Sequence, residues 1–236
     1  MRQIVSAALG AALCLFSGQD GGAARAEPAV LVELYTSQGC SSCPPADDYF
    51  ADLAADPQVI ALALHVDYWD YIGWADLFAQ PQFTERQKDY ARAIGSRTIY
   101  TPQTIVGGIH RIEGHQPEQT EKLIRKHLMQ GSPVALTLRR EGDVLHIRAE
   151  TAEPLPGGAH VQLVRYRPSQ TVTIERGENA GRTTTYHNIV TEWHVLGDWP
   201  GLQPLEMTAR VPGADPAVVI LQTPGPAAVL AVARAD

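Results

Sequence analysis

Cys40 and Cys43 stand two residues apart in the run Cys40-Ser41-Ser42-Cys43-Pro44-Pro45, a spacing that lets two thiols close into a disulfide or exchange one with another molecule. An apolar stretch from Val30 to Leu34 that reads as a buried strand comes before them, the chain breaks at Gly39, and Ala46 to Ala55 carries a helical pattern. The cysteines therefore fall where a strand hands over to a helix. Unpaired N–H groups and the positive dipole end of a helix N-terminus stabilise a thiolate there. On that reasoning Cys40, the earlier and more exposed thiol, attacks, and Cys43, one helical turn further in, closes the disulfide.

The third cysteine, Cys14, lies in a different kind of segment. Met1 to Ala26 opens with Arg2, continues as a short apolar run from Ile4 to Phe16, and ends on Ala24-Arg25-Ala26, a small-x-small cleavage pattern. A signal peptide over residues 1–26 is expected, because the run is shorter than the roughly 20 residues a spanning helix needs. Its removal takes Cys14 with it, leaves both remaining thiols in one motif, and points to a secreted or periplasmic protein in an oxidising compartment. A bridge closing so short a loop contributes only about 2 kcal/mol by chain entropy, against about 4.7 for a 100-residue loop, so it is a poor structural staple. The formal charge of −7 becomes −8 once Arg2, Arg25 and Asp20 leave. With no basic cluster and no second long apolar run, nucleic acid is not expected as a partner and the mature chain has no membrane span.

Beyond the cysteines, Asp47 to Leu53 reads as a helix, Val59 to Asp67 as a nearly unbroken apolar strand, and Gln82 to Ile94 as a helix stopped by Gly95. Between them Tyr68, Trp69, Tyr71 and Trp74 crowd one segment. It is either an aromatic loop folded over the core or a platform beside the cysteines that receives a ligand. Pro102 stands at the entrance to a strand over Thr104 to Val106, where it lacks an N–H for pairing, and a cis Thr101–Pro102 bond is one solution.

This succession, with Pro117 to Met129 as a last helix, resembles a thioredoxin fold from about Val30 to Gln130. The resemblance implies that Cys40 is the nucleophile, that Cys43 resolves the adduct, and that Pro102 is cis against the disulfide. It also implies that the backbone of Thr101 pairs with an incoming peptide strand. The aromatic segment is extra to a minimal thioredoxin; read as a platform, its Tyr68, Trp69 and Trp74 join Thr101 in binding substrate. Glu33 is the candidate for the buried acid that thioredoxins carry on the strand before the motif, although one extra residue separates it from Cys40. More closely, the whole mature chain is similar to the secreted, thioredoxin-like domain-of-unknown-function 1223 family. Four phrases carry that likeness: Glu33 to Pro45, His65-Val66-Asp67-Tyr68-Trp69, Tyr100-Thr101-Pro102-Gln103, and Arg176 to Arg182.

After Gly131 the period changes. Val134 to Arg139 and Val144 to Arg148 alternate around Glu141-Gly142-Asp143 as a hairpin, and six more short strands follow between Pro/Gly turns. The expected fold class is thus an α/β thioredoxin-like domain over residues 27–131 followed by an all-β, antiparallel sandwich-like domain over 132–236. The polar loop Arg176 to Arg182 is either plain turn chemistry or a segment whose Glu178, Asn179 and Arg182, with His187 and Asn188, face the cysteines and shape access to them.

The function these residues support best is an exported thiol–disulfide oxidoreductase acting on protein or small thiol and disulfide substrates, which needs no cofactor. Two other classes stand beside it. One is a binding module with an inert disulfide. The other is a metal carrier, in which the two thiolates and a histidine such as His65 or His110 hold copper or zinc. No Gly-x-x-x-x-Gly-Lys phosphate loop or dinucleotide fingerprint is present.

Overall fold

The computed structural model describes residues 28–235; the expected signal peptide and Cys14 lie outside them. Unbroken apolar runs must be covered on both faces, and β1 (Val30–Thr36) and β2 (Val59–His65) are buried at every position. They pair in parallel around α1 (Pro44–Ala55). A 3-10 turn at Asp70–Ile72 leads to α2 (Pro81–Ala93), then β3 (Gln103–Val106) and β4 (His110–Glu113) return antiparallel, and α3 (Pro117–Gln130) follows. Next come the strands β5 (Val134–Glu141), β6 (Val144–Thr151), β7 (Ala159–Thr173), β8 (Thr183–Trp199), β9 (Leu205–Arg210), β10 (Ala217–Gln222) and β11 (Val229–Ala235).

A thioredoxin-like α/β domain followed by a separate β-sandwich is not what these elements build. The described residues are mainly strand with three α-helices, and eight strands form one mixed sheet in the order β11-β10-β7-β8-β2-β1-β3-β4. Only β5, β6 and β9 make a second sheet. The two halves merge because β7 and β8, with 15 and 17 residues, outrun the layer they share with the small sheet. The overhanging part of β8 lies parallel to β2, with Ala63 opposite Ile189. Asn188 sits opposite Pro168, which has no N–H to offer, between the register pairs Arg167–Ile189 and Ser169–His187. There it adopts φ 46° and donates its amide to the Ala61 carbonyl of β2 at 3.0 Å.

Among the described residues three large apolar clusters and a smaller one around Phe78, Ile174 and Tyr186 fill the interior. Val32, Leu34, Ala61 and Ala63 face Phe50 and Leu53 of α1 and Ile124 of α3. Their neighbours Leu31, Tyr35, Leu62 and Leu64 point to the opposite face, as strand alternation requires, and meet Phe83 and Tyr90 of α2 with Val164, Val218 and Ile220. The other side of β7 and β10 packs on the small sheet through Val161, Leu163, Val219, Leu136, Leu145 and Ile147. The large sheet curls until its two ends approach, where the Val229 N–H donates to the Gly107 carbonyl at 3.0 Å. Gly108, at φ +77°, allows this closure, since a Cβ there would collide with the Ala227 carbonyl oxygen.

Candidate functional site

Cys40 and Cys43 are joined by a disulfide at the end of the loop that follows β1, their Cα atoms 5.4 Å apart. The expectation of an exposed Cys40 does not hold: Cys40 is 1 % exposed and Cys43 is fully buried, while Ser41 and Ser42 between them face solvent. The helix start also differs from the general case. Cys43 caps α1, but Pro44 and Pro45 occupy its first turn and have no N–H. The N–H groups of Ala46 and Asp47 both go to the Cys43 carbonyl, at 2.9 and 3.1 Å, and that of Cys43 goes to the Cys40 carbonyl at 3.2 Å. The first turn thus has no free donor for a sulfur, and the dipole is left to act with the Ser42 hydroxyl. Ser42 Oγ lies 3.4 Å from Cys40 Sγ and 3.3 Å from the Thr101 carbonyl, to either of which it can donate.

The Thr101–Pro102 peptide is cis, and Pro102 is buried. Trp69 Nε1 donates to Thr101 Oγ1 at 2.7 Å, and the Tyr68 hydroxyl donates to Gln87 Oε1 at 3.2 Å. Gln87 in turn reaches the Tyr100 carbonyl at 2.7 Å, so α2 holds the approach to Pro102. Burial pushes the Tyr68 phenol up to about 12. Trp74 turns to the other side of the loop, where Nε1 donates to Gln38 Oε1 at 2.8 Å and the ring packs beside Phe78, Ile174 and Tyr186. Trp69 and Tyr68 are thus tied to the Thr101–Pro102 side and Trp74 to the Gln38 side.

Glu33 faces away from this group. It shares the face of Leu31 and Tyr35, where its carboxylate accepts from Arg86 Nε at 2.7 Å, the Tyr90 hydroxyl at 2.5 Å and the Tyr35 hydroxyl at 3.3 Å. Arg86 continues to Gln222 Oε1 at 3.0 Å and stacks 3.9 Å over the Trp193 ring. Glu33 therefore fastens β1 to α2 and β10.

The buried acid on the side of the cysteine helix is Asp47, one helical turn beyond Cys43. Thr36 Oγ1 donates to it at 2.7 Å, and burial pushes it from 3.8 up to about 7, against the pull of that hydrogen bond and of the charge on His65. His65 lies opposite Thr36 in the β1–β2 register, and its Nδ1 is 2.7 Å from Asp76 Oδ2 with both side chains fully buried. Phe78 and Tyr186 meet the imidazole edge-on at 5.1 and 5.0 Å. Burial alone would lower His65, but the Asp76 carboxylate outweighs it and holds the imidazole above its ordinary value; burial opposes the Asp76 charge too, yet His65 holds that carboxyl below its own. Asp76 also accepts from the Gln38 and Phe78 N–H groups at 2.8 Å each, which locks the loop before the cysteines. His65 Nε2 and Gln38 Nε2 are buried without a direct partner. The signal for Asp47 lay in the sequence, an acid four residues after Cys43 on the inward face of an amphipathic helix. Asp76 had none, because the partners that bring it to the site, His65 and Gln38, are 11 and 38 residues away.

One further contact comes from the β7–β8 loop. Asn179 is buried while Glu178 and Ala180 beside it are exposed, and its amide donates to the Gln38 carbonyl at 2.9 Å and the Cys40 carbonyl at 2.8 Å. Glu178 and Arg182 face solvent, and Asn188 is spent on β2. His110 sits apart from His65, with Nδ1 3.0 Å from His127 Nε2. Among the described residues no three His, Cys, Asp or Glu side chains are grouped to hold a metal ion, and no helix is long and apolar enough to cross a membrane.

The fold has solved counterparts. A crystal structure of a protein from Agrobacterium tumefaciens, a structural-genomics target, is 32 % identical, with a TM-score of 0.75 over 88 % of this chain and 94 % of that one. HBP35 of Porphyromonas gingivalis, 12 % identical, shares the fold with a TM-score of 0.65 over 91 % of this chain and 76 % of that one. No curated protein matches the chain. A family model described as protein of unknown function, DUF1223, matches residues 31–222, and the chain belongs to that family.

Proposed function

We propose that this chain is an exported thiol–disulfide oxidoreductase working through Cys40 and Cys43. The observation that carries the reading is the Cys40–Cys43 disulfide at the start of α1 with a buried carboxyl, Asp47, one turn behind it. A bond of this kind adds little stability for its loop length, whereas an acid poised near neutral pH is suited to moving a proton.

In the reductive direction, a substrate thiolate bonds to Cys40 Sγ, the Cys40–Cys43 bond breaks, and its electron pair leaves on Cys43 Sγ. A second substrate thiolate then attacks the substrate sulfur, and the pair leaves on Cys40 Sγ. The substrate is oxidised to a disulfide and the two cysteines, with two protons, become thiols. In the reverse direction the Cys43 proton passes to Asp47, and the Cys43 thiolate expels the substrate from its mixed disulfide with Cys40. The Ser42 hydroxyl supports the Cys40 anion in place of the N–H groups that Pro44 and Pro45 lack. Pro102 and Thr101, held by Trp69 and Tyr68, line the approach for protein or small thiol substrates. No cofactor enters these steps.

The test is the reduction potential of the Cys40/Cys43 couple, with trapping of partners on a Cys43→Ala variant. A couple above about −300 mV and mixed disulfides on Cys40 support exchange; a more negative couple with no adducts leaves the disulfide inert and the chain a binding protein.

A further inference from the structure

The loop that carries the disulfide is fastened by a residue 139 positions away from Cys40 in the chain. Asn179 Nδ2 spans two carbonyls of the cysteine loop, those of Gln38 and Cys40, and is the buried residue of a tip whose neighbours Glu178 and Ala180 are exposed. The tip is itself well formed. The Ile174 N–H donates to the Arg182 carbonyl and the Gly181 N–H to that of Ile174, at 2.9 and 2.7 Å, and Gly177, at φ +77°, lies flat against Trp74 with room for no more than a tight Cβ at 3.3 Å. On the opposite flank Gly39 runs against Trp69, where an added Cβ would meet the ring-bearing carbon at 3.2 Å. In the loop fastened by these contacts Cys40 is 1 % exposed. Exchange demands in-line approach to a sulfur, and nothing of a thiol's size reaches a sulfur so covered.

Resting on the exchange chemistry above, we propose that Asn179 is a latch. The β7–β8 tip must withdraw from the Gln38 and Cys40 carbonyls before any thiol meets the disulfide, so Asn179 governs which substrates react and how fast. The tip is held to the cysteine loop by two side-chain hydrogen bonds and the Gly177–Trp74 contact, and a local opening of that size leaves the strands behind it intact. Substrates able to occupy the vacated carbonyls with N–H donors of their own, as a polypeptide segment can, keep the tip open longer than a small dithiol does.

The test is the rate of reduction of the oxidised full chain by dithiothreitol, followed by thiol labelling, in the parent and in N179A and N179D; the aspartate has no donor and repels both carbonyls. With far-UV and near-UV spectra unchanged, both variants are expected to react faster by at least about fivefold, roughly what one lost hydrogen bond does to an opening equilibrium. A smaller change overturns the latch. Should neither variant fold, the parent decides: reduction at least about fivefold slower than that of an open Cys-Ser-Ser-Cys peptide disulfide supports the latch, and any faster reduction overturns it. The outcome is independent of turnover. A latch without exchange on any substrate sinks the oxidoreductase reading, and exchange without a latch sinks only this inference.

Discussion

Thr36 Oγ1 donates a 2.7 Å hydrogen bond to Asp47 Oδ1, tying the last residue of β1 to the first turn of the helix behind the cysteines. The bond keeps a carboxyl in a place where water cannot solvate it, and the proton on that carboxyl then responds to pH near neutrality. The groups facing it are Thr36 and Asp48 of its own surroundings and the His65–Asp76 pair from β2 and the loop beyond.

The folded Asp47 titrates at about 7 and the unfolded one at 3.8. Between those values the folded chain holds a proton the unfolded chain has released, so stability falls as pH rises through the window and levels off above it. The full shift corresponds to at most about 4 kcal/mol. D47N should flatten this slope in urea titrations from about pH 4 to about pH 8 while keeping an oxygen for Thr36. In exchange assays near neutral pH the same variant should slow turnover by about 100-fold, the lower end of what a lost acid–base group costs. An unaltered pH–rate profile would remove Asp47 from the mechanism.

Asp76→Ala strips partners from His65, the Gln38 N–H and the Phe78 N–H at once. Breaking a fully buried pair from one side costs about 3–5 kcal/mol, read as a lower urea midpoint. His65, raised in the folded state, adds stability that is complete below its ordinary 6.5 and lost as pH climbs through its folded value. D76A should lose that pH dependence along with the stability.

Ser42→Ala removes the hydroxyl 3.4 Å from Cys40 Sγ. Because Pro44 and Pro45 offer no N–H, no backbone donor of the first turn replaces it. The midpoint of the pH profile for alkylation of reduced Cys40 should move up by about 0.5 to 1 unit, as expected when a hydrogen bond to the anion is lost. No movement would leave the dipole alone to activate the sulfur.

Glu33→Gln makes the contrasting case. Its carboxylate is bound to Arg86, Tyr90 and Tyr35 on the face away from α1. E33Q should destabilise the chain by about 3–5 kcal/mol by leaving Arg86 without its counter-charge, and leave the pH profile of cysteine reactivity where it was. A shifted profile would reinstate the relay expected of Glu33.

Much of the first half was legible because its signals are local. The apolar runs give β1 and β2, the period of 3.6 gives the three helices, and Cys-x-x-Cys marks the site. The arrangement of the second half was not, and the reason can be named. Pro168 divides an alternating pattern, so β7 reads as two short strands although pairing with β8 continues on either side of it. The junction of β8 with β2 is a single register pair with one Asn188 amide, and neither leaves a periodic trace. The surroundings of Glu33 were not legible because an acid on the strand before a Cys-x-x-Cys motif looks alike on either face; only its odd position, shared with Leu31 and Tyr35, tells the side. Asn179 was named among five residues that could face the cysteines, and its contact with Cys40 depends on a hairpin reach that sequence does not measure.

The seam between β2 and β8 has a practical meaning. A fragment stopped at Gln130 would carry the cysteines, yet β2 would end in a raw border of unsatisfied amides and bare aliphatic side chains, ready to stick to its own kind. The half that bears the sulfurs cannot be lifted out as a miniature; it was shaped to be finished by Asn188, 127 positions after the Ala61 carbonyl that it fills.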